Sequence, residues 1–377
     1  MSTDVYEALR QEIDKMPVGM PKTETGVEIR ILEHLFSPVE AQVALHLNIL
    51  PEPLTQIMKR VRRTGLGFDE EEIQKILDRL VERGSITGDS RGGVKKYSYA
   101  QFAIGMFENQ VGRMTPEFFA DCKEYLEGCF ADELFRTSVP QMRAVPVNKK
   151  VTHDLHIAHY DDIRAQIQGY PSEPFYVMEC ICKQGNELVG YSCQTTDLRE
   201  TCITFPSTAS YFKDVGVARP VTKDEVLAIL DKAEQEGLVI QPGNAERPGF
   251  ICCCCGDCCG ILTAAKKFPR PAELFKTNYY AEVDPDICNG CGRCIKRCQM
   301  DAVALVDRKA AINLDYCIGC GLCVSTCPTE ALRLKKKDKQ THPPKKLGQL
   351  YSSILREKLG PVRFLKNGLK LGLGKKV

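Results

Sequence analysis

Residues 288–298 read CNGCGRCIKRC, and residues 317–328 read CIGCGLCVSTCP. Each stretch places four cysteines at the spacing C-x2-C-x2-C-x3-C, and the second stretch repeats the pattern 29 residues after the first. A tight loop can direct three such thiolates at one small inorganic centre while its backbone N–H groups face the sulfur atoms. The glycines between the cysteines supply the backbone freedom that this loop needs. A zinc ribbon normally uses two separated C-x2-C pairs, so the repeated pattern disfavours that alternative.

The two runs resemble the bacterial two-cluster ferredoxins over residues 282–334. In that family three close cysteines hold a [4Fe-4S] cubane, and the fourth cysteine of each run binds the other cluster. The resemblance therefore implies two ligand sets, which are Cys288, Cys291, Cys294 and Cys327 for cluster one and Cys317, Cys320, Cys323 and Cys298 for cluster two. The second run ends Cys327-Pro328, as the family pattern requires. The first ends Cys298-Gln299, a departure that concerns the local turn rather than the ligands.

The chain contains 20 cysteines in 377 residues, and its N-terminus shows no basic segment followed by an apolar stretch. We therefore expect a cytoplasmic protein, because thiols in a reducing compartment serve as ligands, nucleophiles or buried apolar groups more often than as disulfides. No apolar run is long enough to cross a bilayer. The sequence has no dinucleotide fingerprint, no Walker A motif and no nucleophile elbow, so no catalytic residue can be assigned.

A second concentration of cysteines lies upstream, where residues 252–259 read CCCCGDCC. Within it Cys252, Cys255 and Cys258 again stand at C-x2-C-x2-C, with Cys254 and Cys259 nearby. Four further cysteines precede this stretch, and they are Cys180, Cys182, Cys193 and Cys202. These four could supply a missing fourth ligand or bind a cluster of their own. Adjacent residues of an extended strand point to opposite sides, so the stretch could also face two sites.

We expect one or two further iron–sulfur clusters in this region, with zinc or redox-active thiols as the alternative. The whole chain also resembles a group of uncharacterised 4Fe-4S binding proteins of anaerobic bacteria and archaea. That group shares the stretch from Phe250 to Gly260 and the element Cys180-Ile181-Cys182. The resemblance favours an additional metal site and implies no particular reaction. At Cys253 and Asp257 the chain departs from the commonest form, so we rank both below the other candidates as ligands.

Helical and strand patterns predict a multidomain α+β protein. Its fourth predicted helix runs from Asp69 to about Arg83, with apolar residues on one face, and precedes a short hairpin. The predicted parts are a winged helix-like domain at 24–100, a helical connector at 101–150 with a proline-bearing linker at 139–147, a cysteine-rich α+β domain at 151–262, a ferredoxin-like domain at 280–334 and a basic tail at 335–377.

The tail interleaves basic and apolar residues at helical spacing. Such a basic amphipathic segment can dock on a partner protein, lie on the anionic inner surface of a membrane, or stay solvated. The sequence alone leaves these three alternatives open.

Taken together, these patterns favour an iron–sulfur electron-transfer protein that relays low-potential electrons as a subunit or partner of a larger anaerobic oxidoreductase. The expected partner is a flavin or iron–sulfur oxidoreductase. A redox-responsive transcription regulator and a reductase acting at the cysteine-rich site are the alternatives. DNA is not expected as a partner, because the recognition helix would begin with four carboxylates at residues 69–72, which repel phosphate. Basic residues on the preceding helix keep the regulator open as an alternative.

Overall fold

The chain forms two compact units in a computed structural model. The structure describes residues 2–90, 92–147, 158–208, 212 and 215–377. Unit 1 comprises Met1–Ser138, Thr208–Arg219 and Ser352–Val377, and unit 2 comprises Val139–Ser207 and Pro220–Tyr351.

Unit 1 begins with helices and one small antiparallel sheet. The helices are α1 Ser2–Ile13, α2 Val27–Leu35, α3 Pro38–Ala44, α4 Leu54–Val61, α5 Glu70–Glu82, α6 Pro116–Glu127 and α7 Cys129–Leu134. The strands are β1 Glu52–Pro53, β2 Ile86–Asp89 and β3 Lys96–Tyr99, in the order β1-β3-β2. A short 3-10 turn covers Glu108–Gln110.

The predicted fourth helix is confirmed as α5. Its N-cap Asp69 accepts a hydrogen bond from the Glu72 N–H at 2.9 Å, and the Glu72 carboxylate accepts one from the Asp69 N–H at 2.8 Å. This capping box satisfies two backbone donors that the helix leaves unpaired. The apolar face of α5, which includes Ile73 and Leu77, is buried. The hairpin of β2 and β3 follows as expected.

The cysteine-rich part of unit 2 is built on a five-stranded sheet in the order β6-β4-β5-β8-β7. Its strands are β4 Phe175–Glu179, β5 Glu200–Thr204, β6 Arg219–Val221, β7 Val239–Pro242 and β8 Phe250–Cys254. Its helices are α8 Ile163–Gln168, α9 Ile181–Leu188, α10 Lys223–Glu236 and α11 Gly260–Lys266. The pairs β4–β5, β5–β8 and β7–β8 are antiparallel. The N-cap Thr222 and the left-handed Gly237 bound α10.

The proline-bearing stretch 139–147 is part of this sheet region and not a free linker. Val145 forms a β-bridge with Ile240, and Met142 forms one with Gly243. The side chains of Met142 and Val145 are buried. Apolar burial and backbone pairing therefore outweigh the turn tendency of the prolines here. The predicted boundary at residue 150 lies outside the described residues.

The remaining part of unit 2 contains two small antiparallel strand pairs and two short helices. These elements are β9 Tyr279–Val283, α12 Arg293–Arg297, β10 Val303–Val306, β11 Lys309–Ile312, α13 Leu322–Ser325 and β12 Leu332–Lys336. Strand β9 pairs with β12, and β10 pairs with β11. Each short helix follows two closely spaced cysteines and contains a third, so the two halves have the same plan.

The basic tail is helical, with α14 at Leu347–Leu359 and α15 at Pro361–Gly372. It is not simply solvated. The Lys358 ammonium forms a buried ion pair with Glu133 at 2.6 Å and donates to the Asp14 carbonyl at 2.8 Å. Lys376 pairs with Glu12 at 2.9 Å. By contrast, α15 buries none of its residues. In the described part of the chain, no helix is both long and apolar enough to span a membrane.

Candidate metal centres

The eight cysteines of the two repeated runs line two separate cavities. One cavity is lined by Cys298, Cys317, Cys320 and Cys323, and the other by Cys288, Cys291, Cys294 and Cys327. Each cavity thus receives three thiols from one run and the last thiol of the other run. The structure brings together the two sets that the ferredoxin resemblance implies.

Backbone N–H groups point at the sulfur atoms of these cavities. The Ala281 N–H donates to the Cys317 Sγ at 3.3 Å, and the Ala310 N–H donates to the Cys288 Sγ at 3.4 Å. Both the donors and the acceptors are related by the same 29-residue repeat. Such N–H···S bonds stabilise thiolates and tune the reduction potential of a cluster that they hold.

Two glycines in these loops are required by close backbone approach. A Cβ on Gly290 would lie 2.1 Å from the Arg308 carbonyl oxygen, and one on Gly319 would lie 2.2 Å from that of Tyr279. Both glycines also have positive φ angles, 71° and 63°. A side chain at either position would therefore push the loop away from the strand that donates to its first cysteine.

A closed ring of six thiols lies in the cysteine-rich part of unit 2. Successive thiols lie close enough to shift one another's pKa values, and the last does the same with the first. We call this set the thiol ring; in contact order it comprises Cys180, Cys182, Cys259, Cys254, Cys252 and Cys202. The Cys202 and Cys252 sulfur atoms are 3.9 Å apart. No three of the ring thiols, all of which the structure describes, have sulfur atoms that all lie within 4.8 Å of one another, which favours an occupant larger than one ion.

The sheet explains how distant cysteines meet. Cys202 on β5 pairs directly with Cys252 on β8, so both side chains lie on one face of the sheet. Cys254 lies two residues along β8 on the same face. Cys253 lies between them and faces the opposite side, where burial raises its pKa to about 12. This alternation separates Cys253 from the ring, in keeping with its low rank as a ligand.

Two ring thiols at helix N-termini have lowered pKa values, whereas contacts with neighbouring thiols and burial raise the pKa values of Cys182 and Cys252. Hydrogen bonds with Cys182 and Cys202 lower the pKa of Cys180, which also accepts from the Lys183 N–H at the start of α9. Contacts with Cys182 and Cys254 lower the pKa of Cys259, which accepts from the Leu262 N–H in α11. Thiolates rather than thiols are metal ligands, so the lowered pKa values favour metal binding at Cys180 and Cys259.

Unpartnered polar atoms on the same sheet face fit an iron–sulfur group. Gln241 pairs with Cys252 across β7 and β8 and is fully buried. Neither atom of its side-chain amide has a hydrogen-bond partner among the described residues. The Thr204 hydroxyl, two residues from Cys202, is also buried without a partner there. Buried polar atoms in this state need an explanation, and sulfide or thiolate acceptors would provide one for the amide N–H of Gln241 and the hydroxyl of Thr204.

A second, smaller set of ligand atoms follows β8. The ligand atoms of Cys193, Cys255, Asp257 and Cys258 all lie within 4.8 Å of one another. We call this set the Cys193 group. The Cys193 Sγ is 3.7 Å from the Cys255 Sγ and 3.8 Å from the Asp257 Oδ1. The structure thus divides the nine candidate cysteines of this region into six and three, and Cys252 does not share a group with Cys255 and Cys258.

Gln299 connects the repeated cysteine runs to this region. Its side-chain carbonyl accepts a hydrogen bond of 2.6 Å from the Gly256 N–H. A Cβ on Gly256 would lie 2.1 Å from the Gln299 backbone oxygen, so only glycine fits this contact. Nearby, Lys266 forms an ion pair of 2.8 Å with Asp301. The residue that departs from the ferredoxin pattern is therefore the one that contacts the cysteine-rich stretch.

Residues 281–334 match the family model of a 4Fe-4S dicluster domain. No curated protein and no solved structure significantly matches the chain. The matched range contains both repeated cysteine runs and supports an iron–sulfur electron-transfer role. Beyond this range, the resemblance to uncharacterised proteins of anaerobes stays a prediction.

Two residues gained importance only from the structure. Asp257 ranked low as a ligand, yet its carboxylate lies among three thiols. Gln299 was noticed only as a departure at a turn. In both cases the sequence contains an indication that the residue is unusual, since each residue departs from the pattern of the family that the sequence resembles. Their partners are far away in sequence, so spacing could not identify the contacts.

Proposed function

We propose that the protein relays low-potential electrons between two [4Fe-4S] clusters and a third iron–sulfur centre, as a subunit or partner of a larger oxidoreductase. The observation that carries this proposal is the thiol ring, which belongs to the same compact unit as the dicluster domain. A single dicluster domain needs no further thiols. The six further thiols of the ring support a third redox centre, which would exchange electrons with the two clusters.

The proposed ligands follow the two cavities and the ring. Cys288, Cys291, Cys294 and Cys327 would hold one cubane, and Cys317, Cys320, Cys323 and Cys298 the other. The ring would hold the third centre. Bound iron–sulfur clusters supply one-electron redox chemistry, with potentials set by hydrogen bonds, burial and nearby charge. The chain contributes the thiolates, the N–H donors and a buried environment.

The chain also provides a short connection between the two regions. Cys298 is followed by Gln299, whose side chain accepts from the Gly256 N–H. Gly256 is joined through Cys255 to the ring residue Cys254. Arg297, on the other side of Cys298, donates to the Gln235 carbonyl at 2.7 Å at the end of α10. A short series of covalent bonds and one hydrogen bond therefore connects Cys298, a proposed cubane ligand, to the ring residue Cys254.

Redox titration followed by electron paramagnetic resonance tests the proposal. The full chain, purified without oxygen, should show signals of two ferredoxin-type clusters and a third signal with its own midpoint potential. The third signal should disappear in Cys252→Ser and persist in the matched variant Cys253→Ser, whose side chain faces away from the ring. A wild-type protein with only two clusters, or a third signal unaffected by Cys252→Ser, would contradict it.

We further propose that residues 24–100 form a winged helix-like module that binds protein. The helices, the hairpin and the strand order β1-β3-β2 support the winged helix interpretation. Helix α5 begins with Glu70, Glu71 and Glu72, and these carboxylates disfavour DNA phosphate. Titration with genomic duplex fragments at moderate salt should give no sequence-specific complex. A sequence bound at nanomolar affinity, and lost on exchange of residues 69–76, would instead establish the regulator.

Helix α15 is the proposed contact for the redox partner. Its apolar stripe Val362, Leu365 and Leu369 is 66–78% exposed, and residues 360–377 contain no acidic side chain. An acidic partner surface with an apolar centre would complement this helix. Replacing the three apolar residues by serine should weaken co-purification with a partner oxidoreductase and leave the iron content unchanged. Loss of binding to anionic vesicles, with partner binding retained, would point to a membrane surface instead.

A further inference from the structure

The Cys193 group differs from every other cysteine set in how closely its ligand atoms approach. Across the described ranges of the chain, it is the one set of three or more His, Cys, Asp or Glu side chains whose ligand atoms all lie within 4.8 Å of one another. The eight thiols around the two cavities do not meet this condition. The difference indicates a smaller occupant than a cubane.

The distances fit four ligands around one ion. A tetrahedral zinc with Zn–S bonds of about 2.3 Å places its thiolates about 3.8 Å apart, and a thiolate and a carboxylate oxygen about 3.5 Å apart. The corresponding separations from the Cys193 Sγ are 3.7 Å to Cys255 and 3.8 Å to Asp257. In a cubane each thiolate binds a different iron corner, which spreads the thiolates farther apart.

The donor chemistry selects zinc. Three thiolates exclude magnesium and calcium, which prefer oxygen ligands. Zinc accepts both sulfur and carboxylate oxygen in closed tetrahedral sites. Cys255 and Cys258 are buried, and Cys193 and Asp257 are half-buried, so little space is left for solvent as a ligand. The spacing Cys255-Gly256-Asp257-Cys258 supplies three donors from one tight turn.

Hydrogen bonds from residues outside the ligand set orient the Asp257 carboxylate and the Cys193 thiol. The Asp257 Oδ2 accepts from the Gln194 N–H at 2.8 Å, and the Oδ1 accepts from the Thr195 hydroxyl at 3.0 Å. The Thr195 and Thr196 N–H groups donate to the Cys193 Sγ. Hydrogen bonds of this kind fix the ligands of metal sites and raise their affinity.

We infer that the Cys193 group binds one zinc ion, which ties the loop at residues 189–199 to the turn after β8. The loop has no helix or strand, and most of its side chains are exposed or half-exposed. It connects α9 to β5, both of which carry ring thiols. The ion would therefore hold this connection in place beside the thiol ring without taking part in electron transfer. The inference does not depend on the ring's own occupant.

Metal analysis of the full chain, purified without oxygen and washed with a mild chelator, tests the inference. Wild type should retain one zinc per chain in addition to its iron. Asp257→Ala and Cys193→Ser should each lower zinc affinity at least about 100-fold, more than loss of an outer contact alone would. Cys253→Ser is the matched control and should keep the zinc. Zinc in Cys253→Ser but not in the other two variants supports the site.

Asp257→Cys separates ligation from folding. Cysteine cannot replace the hydrogen bonds to Gln194 and Thr195, but it can bind the ion. This variant should keep the zinc, and its cobalt-substituted form should show stronger thiolate-to-cobalt charge-transfer absorption than wild type, because four thiolates replace three. Wild type without zinc, an iron ion at this site, or equal zinc loss in Asp257→Cys and Asp257→Ala would overturn the inference. Complete iron with missing zinc would overturn it and leave the electron relay standing.

Discussion

The dicluster domain and the cysteine-rich sheet collect thiols in two different ways. In the dicluster domain, each cavity takes three cysteines from one loop and a fourth from the symmetric loop 29 residues away. In the sheet, the thiol ring draws on β5, β8 and the starts of α9 and α11, and a neighbouring set includes a carboxylate. Loop spacing therefore fixes the first arrangement, and strand pairing fixes the second.

The difference predicts that the two regions lose metal independently. Cys320→Ala should have the largest effect, because it removes a half-buried proposed ligand that water cannot replace at comparable strength. We expect loss of one cubane, about four iron atoms per chain, and of most of the low-potential signal from that half. The other cubane should partly survive, and the ring should keep its signal. Unchanged iron content and spectrum would refute the ligand assignment.

Substitutions at neighbouring positions of β8 test whether the alternation of side chains along the strand selects the ring ligands. Cys254→Ser should remove the third centre, because Cys254 contacts both Cys252 and Cys259 in the ring. Cys253→Ser, one residue away on the opposite face, should leave all iron in place. Iron and acid-labile sulfide per chain are the measured quantities. Equal losses in the two variants would show that strand alternation does not select the ligands.

A smaller effect is expected where the two regions meet. Gln299→Ala removes the acceptor for the Gly256 N–H. We expect unchanged iron content, a loss of stability of about 1 kcal/mol, and slower electron exchange between the third centre and the ferredoxin clusters in rapid freeze-quench experiments. Gln299→Glu keeps an acceptor oxygen and serves as the control. An exchange rate that does not change in Gln299→Ala would exclude this contact as the connection.

The smallest expected effect is a change in the reduction potential of the third centre, with no loss of iron. Gln241→Leu replaces a buried amide that lacks a partner among the described residues. If this amide donates to the third centre, its loss should shift the midpoint potential of that centre to more negative values, because N–H···S bonds favour the reduced cluster. The ferredoxin potentials should not move. Greater thermal stability with no shift in potential would show that the amide serves no cluster.

The sequence predicts the parts of the structure that depend on local chemistry. The helix that begins after Asp69 and the hairpin that follows it depend on residues close in the chain, and the structure has both. The cysteine runs depend on a repeated loop, whose glycines have the positive φ angles that the pattern requires.

The parts that sequence could not predict depend on contacts between distant segments. Cys202 and Cys252 meet because β5 and β8 pair, and no spacing rule contains that register. Cys193 joins Asp257 across 64 residues. The 139–147 stretch pairs with a strand nearly 100 residues later, although its prolines suggested a linker. Tertiary pairing overrides local preference in each case.

We propose that the thiol ring holds a third iron–sulfur centre, separate from the dicluster domain. Counting iron and acid-labile sulfide in the full chain, expressed and purified without oxygen, tests it most directly. The account predicts about twelve or more iron atoms per chain in wild type and about eight in Cys252→Ser. About eight iron atoms in both proteins would mean that the ferredoxin clusters are the only ones present, and would contradict the claim.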